Sequence, residues 1–274
     1  MRVGTNITSL SAQRILGNNT EEVNRESVRL ATGDRISRAA YDPAGLAISS
    51  SMRARLRGFQ QAGRNANDSV SMIQVGEGVL SSVQDMAIRL KELALQSSND
   101  TLGDNERRMA DLEFQNIKLE IKRILTSAKF NDQPLFDVLS KPKDFQVGIN
   151  NDEKADRVTY DMKKVLRSAD QVSLGDGSIA TKGQSHKVLY SIEEMSNEVS
   201  RARAELGSMQ TRVESVAQGL RIVHENESAS ESKIRDTEFA QSTAQQIISK
   251  LKQDSTVGWL AQANLEGKNV EKLL

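Results

Sequence analysis

Residues 192–223 carry an apolar side chain at every third or fourth position without a break: Ile192, Met195, Val199, Ala202, Leu206, Met209, Val213, Val216, Leu220 and Val223. That spacing follows the α-helical turn, so all ten fall on one stripe. At 1.5 Å per residue the stretch predicts a rod of about 48 Å. A stripe so long and narrow is buried only by packing against other long helices. Gly207 and Gly219 interrupt it, each costing about 1 kcal/mol relative to alanine, so tertiary packing has to hold the rod.

Partners for that stripe lie upstream. Phe59, Ala66, Ile73, Leu80, Ala87 and Ala94 recur at sevens, and Leu56, Val70, Val83, Leu90 and Leu93 widen their face. They predict a helix from near Gly45 to about Ser98. After a turn around Gly103, Asp104 is placed to cap a third helix bearing Phe114, Ile117, Ile121, Ile124 and Ala128. Both chain ends are helical but weaker. Ile7, Leu10, Leu16, Val23 and Leu30 are interleaved with Asn19, Glu26 and Ser27, while Ile234, Phe239, Ala244, Ile248 and Leu251 share their faces with Thr237, Gln241 and Ser255. Between the first two helices, Thr32-Gly33-Asp34 and Asp42-Pro43 predict about ten non-helical residues.

Between residues 131 and 187 the period changes to two. Phe145, Val147 and Ile149 alternate, residues 150–156 supply turn chemistry, and Val158, Tyr160 and Met162 alternate again, which predicts a β-hairpin. The fold expected is mainly α: an elongated bundle of long antiparallel helices, with paired terminal coiled-coil helices and a small β-hairpin region. Residues 1–44 and 224–274 would form the terminal coiled-coil domain. Residues 45–130 and 188–223 would form a central bundle, with 131–187 as its hairpin and loop region.

Composition agrees with a thin bundle, since only 4% of residues are aromatic and 27% are charged. With 37 charges of each sign, no basic excess argues for nucleic acid or an anionic membrane. No segment reads as a secretory signal or a membrane span, so any export would need another route. No catalytic, cofactor or metal site is expected: there is no cysteine, and His186 and His224, in a loop and near a helix end, lack ligand spacing. Gly76-Glu77-Gly78 lacks the strand and lysine of a phosphate loop. The basic run Arg53, Arg55, Arg57 and Arg64 is better suited to contacts between subunits than to phosphate.

Several motifs together resemble bacterial flagellin. Thr5-Asn6-Ile7, Leu10, Ala12-Gln13-Arg14, Gly45-Leu46-Ala47-Ile48 and Arg64-Asn65-Ala66-Asn67-Asp68 look like the family's N-terminal half. Phe130-Asn131, Phe145-Gln146-Val147-Gly148, Ile234-Arg235-Asp236 and Leu260-Ala261-Gln262-Ala263-Asn264 extend the likeness to the C-terminus. Pro43, Ser69, Trp259 and Lys268-Asn269 depart from the usual pattern.

The resemblance implies a non-enzymatic subunit that self-assembles into the flagellar filament used for swimming, possessing no large outer domains. It implies an inner tube built with Ile7, Leu10, Leu16, Val23, Leu30, Ile234, Phe239, Ile248, Leu251 and Leu260. Arg89, Glu92 and Gln96 match positions where an animal immune receptor binds the family, or where neighbouring protofilaments pack. It also implies an extracellular location reached without a cleaved signal peptide. The partners implied are copies of the chain or related flagellins, the export apparatus and its chaperone, and the filament cap and hook-junction proteins. A hook-filament junction protein and a soluble coiled-coil adaptor are the alternatives.

Overall fold

The computed structural model describes residues 6–136, 142–161, 175 and 177–271, with side chains described to residue 265. Five helices are described: α1 (Ile7–Thr32), α2 (Pro43–Ser98), α3 (Asp104–Ser127), α4 (Lys182–Arg235) and α5 (Phe239–Glu271). Four short strands lie between α3 and α4: β1 (Lys129–Phe130), β2 (Gln133–Pro134), β3 (Lys143–Gln146) and β4 (Arg157–Tyr160). The chain divides into two compact units, Met1–Leu56 with Glu225–Leu274, and Arg57–His224. Helices α2 and α4 contribute residues to both.

In the unit Arg57–His224, α2 and α4 run antiparallel, as Gln84 donating to Ser196 at 2.8 Å and Arg203 facing Glu77 at 3.7 Å record. All six α2 residues spaced at sevens are buried, together with Val83, Leu90 and Leu93. Against them pack Phe114 and Ile121 of α3 and the α4 stripe from Ile192 to Leu206. Beyond Leu206 the stripe departs from expectation. Val213 and Ala217 are buried, but Val223 is 43% exposed, because a straight helix drifts about 20° per heptad relative to a seven-residue repeat. Helix α4 also starts ten residues before Ile192 and continues past Val223 to Arg235; a stripe marks the packed part of a helix, not its ends.

Local chemistry accounts for the other boundaries. The Asn6 side chain accepts from Ser9 N at 3.0 Å to start α1, and Gly33 ends it at φ 74°, a left-handed conformation suited to glycine. Asp42 accepts from Gly45 N at 2.8 Å, with Pro43 at the first helical position, where its missing N–H costs nothing. A Cβ on Gly45 would lie 2.3 Å from Asp42 Oδ2. Asp104 does not cap α3 as expected. Gly103 is the cap residue, and its N–H donates to Glu106 Oε2 at 2.5 Å; Asp104 lies inside the first turn.

The expected hairpin is β3–β4, with Phe145 opposite Val158. Val147 and Ile149 lie past the end of β3, since Val147 N and Gly148 N both donate to Asp156 O (2.8 and 3.0 Å) and turn the chain. Met162 lies outside the described residues. A second hairpin, β1–β2, was not anticipated from the sequence. Its two-residue turn places Asn131 and Asp132 at φ 49° and 61°, the left-handed pair that tight hairpins favour.

Val213 is fully buried, so Val213→Asp should destabilise its unit by about 3–5 kcal/mol, the cost of an unpaired buried charge. Val223→Asp should cost less than about 0.5 kcal/mol. Thermal unfolding of the two variants checks the difference; equal melting temperatures would contradict this packing.

Candidate assembly surface of the terminal helices

Helices α1 and α5 pair along their length, and polar groups form their seam. Gln246 donates to Ser27 Oγ and Gln253 to Thr20 Oγ1, both at 2.9 Å. Asn19 donates to Thr256 Oγ1 at 3.0 Å, Ser9 Oγ to Asn264 Oδ1 at 2.9 Å, and Asn6 to Ala263 O at 2.8 Å. The fully buried residues of the pair are small or polar: Ser9, Ala12, Glu26, Ser249, Thr256 and Ala263. The buried Glu26 carboxylate is paired, with Arg29 Nη1 at 2.8 Å and Arg25 Nε at 3.6 Å.

Apolar residues of the same helices point away from the seam. Ile7, Leu10, Phe239, Ile248 and Leu251 are exposed, Phe239 by 67% and Leu251 by 61%. Leu16, Val23, Leu30, Ile234 and Leu260 are half-buried. Ile247, Val257, Trp259 and Leu265, none of them in the expected inner-tube set, are also exposed. The sequence reading missed the seam of α5. Gln246, Ser249, Gln253, Thr256, Leu260 and Ala263 step by three and four, a heptad hidden by its polarity. Beside it, Ile15, Asn19, Ile248, Leu251, Lys252, Ser255 and Thr256 line a groove of about 470 Å³.

A clasp closes one end of the pair. Arg235 donates twice to the Asp34 carboxylate, Nε to Oδ1 and Nη2 to Oδ2, both at 3.0 Å. Arg35 N donates to Arg235 O at 2.7 Å and Thr237 N to Gly33 O at 2.8 Å. The Arg35 guanidinium reaches Ile234 O at 2.5 and 3.0 Å. Hydrogen bonds from Arg235 hold the Asp34 carboxyl below its ordinary pKa, against a partial opposing desolvation. Two members of the basic run make ion pairs inside this unit: Arg53 pairs with Glu231 at 2.9 Å and Arg55 with Glu227 at 3.2 Å.

In the other unit, Arg89, Glu92 and Gln96 share an exposed stretch of α2 with Ile88 and Leu95. Arg89 contacts Glu92 at 3.0 Å and Glu113 of α3 at 2.7 Å. Three motifs distant in sequence meet there too. Asn65, Asp68 and Ser69, with Phe130-Asn131 and Phe145-Gln146, line a cleft of about 830 Å³, where Asn65 donates to Gln146 O at 3.0 Å. His186 falls in the first turns of α4 rather than in a loop, and His224 lies within α4, 3.2 Å from Gln60. Among the described residues no group of three or more acidic, histidine or cysteine side chains could hold a metal ion, and no helix is long and apolar enough to cross a membrane.

A chain whose terminal helices hide hydroxyls and show leucines belongs to the class of assembling structural subunits. Residues 3–140 match the bacterial flagellin N-terminal helical region, and residues 189–274 match the bacterial flagellin C-terminal helical region. The chain is 36% identical to a flagellin of Halalkalibacterium halodurans over 274 residues, covering all of both chains. It is 33% identical to a flagellar filament core protein of Brachyspira hyodysenteriae and 35% identical to a flagellar filament 30.7 kDa core protein of Treponema maltophilum, again over the whole of each chain. The chain therefore belongs to the bacterial flagellin family, a family of structural proteins.

The depressed Asp34 pKa fixes the sign of the clasp's pH dependence. Its contribution is present above the ordinary carboxylate pKa of about 4 and is lost as pH falls through the lower folded value. From pH 6 to pH 3 the Arg35 and Thr237 amide resonances should move together, with a midpoint below about 4. In Asp34→Asn they should hold the open position throughout; wild-type-like titration in that variant would rule out Asp34 as its source.

Proposed function

We propose that this chain polymerises through the outward apolar faces of α1 and α5 into the flagellar filament that drives swimming. One observation carries the reading: the terminal pair buries a polar seam and leaves Ile7, Leu10, Phe239, Ile248 and Leu251 in water. Contiguous exposed apolar surface marks an interaction site, and open-ended self-association is the way a single chain covers such a face repeatedly. Leu16, Val23, Leu30, Ile234 and Leu260 complete the same inner-tube contact from its half-buried edge.

In this reading, residues 1–44 and 224–274 form the terminal coiled-coil domain, residues 45–130 and 188–223 a central bundle, and residues 131–187 its hairpin and loop region. Arg89, Glu92 and Gln96 contribute to packing between neighbouring protofilaments, supported by the exposed Ile88, Leu95, Met109 and Leu112 around them. Family membership supports export through the flagellar apparatus with a chaperone, assembly under the cap, attachment to the hook-junction proteins, and a place outside the cell.

Sedimentation and electron microscopy of purified protein test the reading. The full chain should give filaments. Removal of residues 1–30, or of everything after Ile234, should abolish them while leaving the unit Arg57–His224 folded by circular dichroism. Normal filaments from either truncation, or a small defined oligomer from the full chain, would overturn it; the second result fits a coiled-coil adaptor.

A further inference from the structure

The polar seam of α1 and α5 nearly repeats itself. Gln246 donates to Ser27 and Gln253 to Thr20, each at 2.9 Å, so the same rung occurs twice, seven residues apart on both helices. A slip of seven residues brings Gln246 opposite Thr20, or Gln253 opposite Ser27, again an amide facing a hydroxyl. Ser9, Ala12, Ser249, Thr256 and Ala263 are too small to key the helices by shape. A polar residue in a seam specifies register when it occurs once; repeated by heptads, as this rung is, it does not by itself exclude a heptad slip.

We propose that the clasp at Asp34 and Arg235 selects the register of the terminal pair. Its backbone bonds join Gly33 to Thr237 and Arg35 to Arg235, and the ladder continues from that alignment through Ser27–Gln246 to Ser9–Asn264. The clasp also joins positions about two hundred residues apart in the chain, so once it forms, α1 and α5 pair as local segments with little further loop-closure entropy. A seven-residue slip would move Ile7 and Leu10 by about 10 Å relative to Ile248 and Leu251, changing the pattern in which the outward face presents them. Asp34 and Arg235 are thus positioning residues for assembly. This inference rests on the filament reading above for its consequence, though not for the register itself.

Because the chain has no cysteine, disulfide trapping can read the register. Ser27→Cys with Gln246→Cys reports the observed rung; Thr20→Cys with Gln246→Cys reports the slipped one. Both pairs are placed in the full-length chain under polymerising conditions, with the clasp intact or changed by Asp34→Ala, Arg235→Ala or both. The intact clasp should trap the observed rung. Each alanine variant should raise the slipped-to-observed ratio at least about tenfold, the scale of losing charge-assisted hydrogen bonds. The double variant should be no worse than either single one, because one interaction is lost in all three. Trapping of the observed rung alone without the clasp, trapping of neither rung, or additive single effects would overturn the proposal. An intact chain that traps the observed rung yet yields no sedimentable polymer would instead refute the filament reading.

Discussion

The terminal helices buried against each other exclude hydroxyls and amides from water and leave much of their apolar surface in it. A hydrogen bond gains only about 1 kcal/mol net when it replaces bonds to water, whereas a buried leucine gains about 1.5–3 kcal/mol. The seam between α1 and α5 is therefore weak for its length. Ordering these helices costs about 1–2 kcal/mol per residue in backbone entropy alone. The shortfall is made up wherever Leu10, Ile248, Leu251 and their neighbours find apolar partners, which on the reading proposed here are other copies of the chain.

The unit Arg57–His224 is built on the opposite principle. Phe114, Ile121, Leu80, Leu90, Ile192, Met195 and Leu206 are almost wholly excluded from water within it. Its polar groups tie segments together: Asp111 accepts from Ser178 Oγ and Ile179 N, and Ser97 Oγ donates to Ile179 O. Such a unit has its own apolar core, while the terminal pair does not. That difference suits a subunit whose terminal pair gains its apolar contacts on joining its neighbours.

The sequence was legible where apolar residues pack within the chain. The sevens of α2 and the β3–β4 hairpin follow from periodicity, because burial imposes it. Three features escaped. Strands of two residues, as in β1–β2, have no period, although Asn131-Asp132 held the turn signal. Helix α4 extends beyond its stripe because helix formation continues where packing stops. The seam of α5 was missed because a search for apolar residues finds Phe239, Ile248 and Leu251, the face pointing away from α1. In an assembling subunit the apolar pattern includes surface that the chain alone does not cover, while its internal contact is written in glutamines, serines and threonines.

The most direct test uses Trp259, the sole tryptophan, half exposed on α5 among those outward residues. Its emission should shift to the blue and resist quenching by iodide as the full chain polymerises, in proportion to the sedimentable fraction. Emission that stays red and freely quenched in polymerised protein would contradict burial of this face by neighbouring copies.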